Sequence, residues 1–196
     1  NGKVIYFSRK SKLDDGIIYD DEKIKECKDK VRRHILNVKD IHLRGVHNYE
    51  NVCAAIAATA SLVEPEVQAK AIQNFKGVAH RLEFVREIDG VKWYNDSIGT
   101  SPTRTIAGLN SFAEKIVLIA GYDKHLDYTP IAKPIVENVS KLILMGATAE
   151  KIEKVVRDEL EAQGKDMPIY HCSSLNEVVN KAKEIATSDE IVLFSP

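Results

Sequence analysis

Val91-Lys92-Trp93-Tyr94-Asn95-Asp96-Ser97-Ile98-Gly99-Thr100-Ser101-Pro102 decides the reading of this chain. An apolar strand (Val91, Trp93) runs into an Asp-Ser pair, crosses a glycine turn and enters a helix. Ser101 as N-cap with Pro102 at the first helical position is a strong helix-start signal. A carboxylate, hydroxyls and backbone N–H groups are gathered where a strand hands over to a helix. Such junctions bind anions and lie where open α/β sheets hold their ligands. The same residues also make an ordinary capped turn, which is the commoner meaning of the pattern taken alone.

Downstream of this junction, strand and helix alternate. After a helix at about 102–111, apolar runs at 116–120, 142–145, 168–171 and 190–194 are separated by amphipathic segments at 130–138, 149–162 and from Ser174 onward. The segment 149–162 places Ile152, Val155, Val156 and Leu160 on one stripe and ends at Gly164. Ser174 and Glu177 make a capping box. Short, nearly continuous apolar strands between amphipathic helices predict an α/β, Rossmann-like, mostly parallel sheet over 80–196. Asp89-Gly90 between 82–88 and 91–96 is a hairpin signal. No GxGxxG and no GxxxxGK[ST] loop is present, so neither dinucleotide nor P-loop chemistry is readable by motif here.

Upstream, residues 1–45 alternate short β-like runs (4–8, 16–19, 35–38, 41–43) with charged links. An alanine-rich helix over 48–63, apolar on most faces, and a second helix over about 65–75 follow. Gly77-Val78-Ala79-His80 reads as a linker, which divides the chain into 1–79 and 80–196.

Composition sets mild bounds. The 196 residues are 44% hydrophobic with a net charge of −1, which gives no sign of a nucleic-acid partner. No apolar run approaches a membrane span, and three scattered cysteines make a disulfide framework unexpected, which suits a reducing cytoplasm. No histidine or cysteine spacing matches a metal site. The chain opens inside one strand pattern and closes on another, and is expected to be a piece of a longer protein.

Four further places could carry chemistry. Asn48 and Asn51, three apart in HNYEN (47–51), share a helix face where carboxamides could pair with an adenine edge. The alternative is an N-cap and a first-turn polar residue. In HRLE (80–83), Arg81 could reach a phosphate or simply pair with Glu83 at the surface. In GYDK (121–124), Lys124 could hold a substrate carboxylate or be a solvated loop charge. Arg104, on the helix after the opening motif, reads as surface.

HNYEN with its alanine-rich helix, then HRLE, then NDSIGTSPTRT (95–105), then GYDK after a strand, in this order, resembles the Mur ligases over essentially the whole chain. The likeness is to their D-glutamate-adding branch. It implies a cytoplasmic, monomeric enzyme of peptidoglycan synthesis. Such an enzyme uses ATP and Mg to activate the carboxylate of UDP-MurNAc-L-Ala, which D-glutamate then attacks to form an amide. Residues 1–79 would be the end of the P-loop-type central ATPase domain and 80–196 most of the C-terminal domain. Carried over by motif, Asn48 and Asn51 face the adenine, Arg81 reaches the nucleotide, and Asp96 contacts its ribose and phosphate end. Thr100 and Lys124 bind D-glutamate, and the magnesium ligands lie upstream of Asn1.

The sequence departs from the family pattern at Ile98, where a lysine is common, so no phosphate contact is expected there. It departs again in a shorter glycine loop before Lys124. A sister ligase such as folylpolyglutamate synthetase, or a non-catalytic nucleotide-binding module, are the alternative readings.

Overall fold

The computed structural model describes residues 4–99, 101–121 and 127–196. They form two units, 1–77 and 78–196, each with its own sheet.

The first unit carries a four-stranded sheet in the order β1 (Phe7–Ser8), β2 (Gly16–Asp20), β3 (Lys23–Lys28), β4 (Val31–Asn37). β1 and β2 are parallel, and β2, β3 and β4 form an antiparallel meander. Helices α1 (Val46–Thr59) and α2 (Pro65–Asn74) follow. Ile17, Ile24, Leu36, Val52, Cys53 and Ile56 make the core of this unit. Sequence patterning finds the two helices but misses β3 and the first half of β4, which are rich in Lys, Arg and Glu.

These strands bury few residues: Ile24 and Cys27 in β3, three apart across a register shift at Ile24/Lys25, and Leu36 in β4. They are joined by two-residue turns at Asp21-Glu22 (φ 51° and 53°) and Asp29-Lys30 (φ 50° and 66°). Both turns take the left-handed conformation of tight hairpins without any glycine to announce it. The strand expected at 41–43 is absent. A short 3-10 turn, Val38–Asp40, occupies the chain before it, and Ile41 and Leu43 pack into the core individually.

The second unit is the expected α/β sheet. Its six strands run in the order β5 (Glu83–Ile88), β6 (Val91–Asn95), β10 (Glu190–Phe194), β7 (Lys115–Ala120), β8 (Val139–Leu144), β9 (Ile169–His171). All neighbours are parallel except β5, which pairs antiparallel with β6 across the Asp89-Gly90 turn. Helices α3 (Pro102–Leu109), α4 (Thr129–Asn138), α5 (Ala149–Gln163) and α6 (Leu175–Ile185) connect the parallel strands.

Right-handed crossovers explain the layering. From β6 to β9 the chain steps in one direction and puts α3, α4 and α5 on one face. There Leu109, Ile135 and Val156 pack on Ile116, Leu118 and Leu142. The return from β9 to the central position of β10 puts α6 on the opposite face, where Val178 and Ala182 meet Val117, Ile119 and Val192. This reversal makes the carboxyl ends of β6, β10 and β7 the place where crossovers diverge and a ligand cleft opens.

An ion pair locks the opposite end of the sheet. Glu190 is buried and accepts from Lys141 Nζ on both carboxylate oxygens (2.5 and 2.7 Å), from Ser140 Oγ (2.5 Å) and from the Thr187 backbone N–H (2.9 Å). Burial alone would raise this carboxyl, but the bonds from Lys141, Ser140 and Thr187 outweigh it and hold the group below its ordinary range.

Candidate functional site

Three strand ends build the cleft. Asp96 N–H donates to Phe194 C=O (2.7 Å) and Ser195 N–H to Ile119 C=O (2.9 Å), so the exits of β6, β10 and β7 are held side by side. Gly99, Ser101 and Thr105 line the cleft from the β6–α3 side, Gly121 and Tyr128 from the β7–α4 side, and Ser195 from the end of β10. Gly121, at φ 124°, is there for the chain to pass: a Cβ at this position would overlap the Met145 carbonyl.

The NDS loop is tied to HRLE by a set of bonds within the second unit. Asp96 is 4% exposed, and its Oδ1 accepts the Leu82 N–H at 3.1 Å. Ile98 N–H donates to His80 C=O (3.2 Å), and His80 N–H to Glu83 Oε2 (2.7 Å). Asn95 Oδ1 accepts from Ser97 N–H at 3.0 Å, which turns its Nδ2 toward His80 Nδ1 at 2.9 Å. His80 and Leu82 both adopt positive φ, 64° and 45°, a strained double bend that these bonds over-determine.

Asp96 Oδ2 lies against Gly99 and Gly108, where a Cβ would come within 2.9 and 3.2 Å of it. The bend leaves Arg81, between the two strained residues, exposed, with no hydrogen-bond or ion-pair partner for its guanidinium among the described residues. The surface pair with Glu83 is not formed; Glu83 holds the His80 backbone instead.

Ser101 takes the N-cap position of α3, but its hydroxyl faces Thr103 Oγ1 (3.1 Å) and caps nothing. Its carbonyl accepts from the backbone N–H groups of Arg104 and Thr105. Arg104 reaches the Ile98 carbonyl at 3.4 Å. Thr100 and Lys124 lie outside the described residues.

In the first unit, α1 begins two residues before Asn48, with Gly45 (φ 90°) as its N-cap. Asn48 is therefore neither cap nor surface. It is buried, its Nδ2 donates to Arg44 C=O (2.5 Å), and its Oδ1 accepts from Asn51 Nδ2 (3.3 Å). The two amides share a face as the spacing implies, but only Asn51 is exposed. Asn48 orients; Asn51 presents.

Among the described residues, no group of three His, Cys, Asp or Glu side chains could hold a metal ion. No helix of the described residues is long and apolar enough to cross a membrane. Sequence reasoning missed Tyr128 and Ser195, whose buried hydroxyl oxygens have no hydrogen-bond partner among the described residues. They sit in a helix-start segment and at a strand exit, and nothing in their local pattern marks them.

Comparison with known proteins places these observations. Residues 80–196 match the family model described as "Mur ligase, glutamate ligase domain". The chain is 49% identical over its whole length to the UDP-N-acetylmuramoylalanine--D-glutamate ligase of Acetivibrio thermocellus, of which it spans 42%. It is 41% identical to the ligase of the same name from Ruminiclostridium cellulolyticum, covering all of this chain and 43% of that protein. Thus the chain spans under half the length of the curated relatives it matches.

Among solved structures, MurF from Acinetobacter baumannii aligns over 91% of this chain and 41% of its own, with TM-score 0.65 and 15% identity. E. coli FolC in complex with ADP aligns over 93% and 43%, with TM-score 0.66 and 14% identity. These two likenesses speak to the fold. With the family model covering the whole α/β unit and its cleft, the chain belongs to the Mur ligase family.

Proposed function

We propose that the whole protein to which this chain belongs joins D-glutamate to UDP-MurNAc-L-alanine in an ATP- and Mg-dependent reaction of the cytoplasm. ATP supplies the phosphoryl group that activates the UDP-MurNAc-L-alanine carboxylate as an acyl phosphate. The D-glutamate amine displaces phosphate to leave an amide and ADP. The observation that carries this reading is the exit of β6 at 95–99, where hydrogen bonds tie the NDS run to the HRLE bend beside the cleft. Chains that are 40–49% identical and carry the D-glutamate ligase name support it.

In this reading Arg81 offers its unpaired guanidinium to the phosphate end of the nucleotide, where developing negative charge needs a cation. Asp96 holds the bend that presents Arg81 and contacts the ribose and phosphate end of the nucleotide. Asn51, steadied by Asn48, meets the adenine edge. Thr100 and Lys124 bind the D-glutamate carboxylates. Magnesium would be held by residues outside this chain. The protein acts as a monomer on small molecules.

The test is ATP- and UDP-MurNAc-L-Ala-dependent incorporation of D-glutamate by the complete protein, with Asp96→Ala and Lys124→Ala beside it. Incorporation specific for D-glutamate that collapses in both variants is the expected result. Preference for another amino acid would assign the protein to a sister ligase. The isolated chain 1–196 is expected to form no amide.

A further inference from the structure

Glu83, the first residue of β5, and Asn95, the last of β6, stand opposite each other at the open end of the hairpin. Both side chains reach past the strand ends to the same residue. Glu83 Oε2 accepts the His80 backbone N–H at 2.7 Å, and Asn95 meets His80 Nδ1 at 2.9 Å.

The direction of the second bond follows from the other end of the amide. The Ser97 N–H can only donate, so the Asn95 atom it meets at 3.0 Å is the carbonyl oxygen. The amino group is left for the ring, and His80 Nδ1 is the acceptor. Glu83 Oε2, 3.7 Å from that ring nitrogen, is committed to the backbone instead.

The residue held in this way is strained. His80 and Leu82 lie at φ 64° and 45°, a region that residues with a side chain avoid. Arg81 sits between them, exposed, so the two bends set where its guanidinium points. The bend at His80 is fastened by one side chain on its backbone and another on its ring.

We propose that Glu83 and Asn95 are positioning residues for Arg81, holding the 80–82 bend in the form that offers the guanidinium to the phosphates of the nucleotide. This inference rests on the ligase reading, in which Arg81 meets the nucleotide, and deepens it. When only a fraction of molecules holds the competent bend, affinity falls by that fraction. A purely electrostatic role for Glu83 has the opposite sign: its carboxylate repels phosphate, and removing it would tighten binding.

The experiment is calorimetric titration of the complete protein with Mg and a non-hydrolysable β,γ-imido analogue of ATP. Unfolded protein then lowers the stoichiometry and leaves the affinity readable. Glu83→Ala and Asn95→Ala are each expected to raise Kd about 5-fold. Glu83→Gln, which loses the charge but keeps an acceptor for the His80 N–H, stays within about twofold of wild type. In an Arg81→Ala background, Glu83→Ala and Asn95→Ala move Kd by less than about twofold, because the group they position is gone.

An unchanged or tightened Kd in Glu83→Ala and Asn95→Ala overturns the proposal. So does a Glu83→Gln that matches Glu83→Ala, or a loss that persists undiminished without Arg81, as a merely structural role would give. A wild-type protein that binds the analogue but does not incorporate D-glutamate refutes the choice of amino acid and leaves the positioning role standing. One that binds no nucleotide refutes both.

Discussion

Asp96 Oδ1 and the Leu82 N–H are bonded at 3.1 Å, so a residue expected to serve the nucleotide also fastens the entry of its own domain. Removing its charge and removing its side chain therefore have different consequences. Asp96→Asn keeps an acceptor for Leu82 and is expected to stay within about 1 kcal/mol of wild-type stability. Asp96→Ala leaves the half-buried Leu82 N–H unpaired and costs roughly 1–3 kcal/mol. Both variants lose ligase activity in the complete protein. Urea unfolding of chain 1–196 beside activity of the whole protein checks the split.

The asparagine pair separates in the same way. Asn48→Ala removes the bond to Arg44 C=O inside the first unit and is expected to cost roughly 1–2 kcal/mol. Asn51→Ala, at an exposed position, changes stability by less than about 0.5 kcal/mol. It raises KM for ATP several-fold in the complete ligase. Equal effects of the two substitutions on both readouts would contradict the division of roles.

Glu190 gives the fold an acid limit. Its carboxyl is held below the unfolded value of about 4.3, so its contribution is complete above that pH and is lost as pH falls through the lowered folded value. Lys141→Met removes the chief partner and leaves burial in charge, which raises the folded value and reverses the sign. The variant is expected to lose roughly 3–5 kcal/mol at pH 7, with the penalty shrinking as pH falls through about 4. Denaturant midpoints of both proteins across pH 3.5 to 7 measure it.

Gly121→Ala tests the β7 exit. With φ at 124° and the Met145 carbonyl in the way, the alanine must displace β8 or the loop. A loss of at least about 2 kcal/mol is expected, seen as a lowered thermal midpoint.

The second unit was legible because both of its signals are local. Apolar runs such as 116–120 and 190–194 and amphipathic helices such as 149–163 follow their periods, and Asp89-Gly90 announces its turn. The meander of the first unit was not. Its strands carry Lys23, Lys25, Arg32 and Arg33 outward, and its turns put Glu22 and Lys30 in a conformation usually reserved for glycine or asparagine.

Ordered motifs singled out Asn48 and Asn51 in the first unit and Arg81 and Asp96 in the second. Spacing could not say that Asn48 is buried behind Asn51, because the helix start depends on Gly45 and not on an asparagine cap. Tyr128 and Ser195 come from segments far apart in sequence, and only the sheet order brings them to one cleft.

The central place of β10 also sets the order in which this unit can form. β6 and β7 never pair with each other; each pairs with β10. Until residues 190–194 have been synthesised, the sheet exists as two halves with open strand edges facing an empty slot, the arrangement most prone to mispairing. Closure joins segments almost a whole domain apart in sequence, the kind of long-range pairing that slows folding. The strand that completes the cleft is thus also the one that joins β5–β6 to β7–β8–β9.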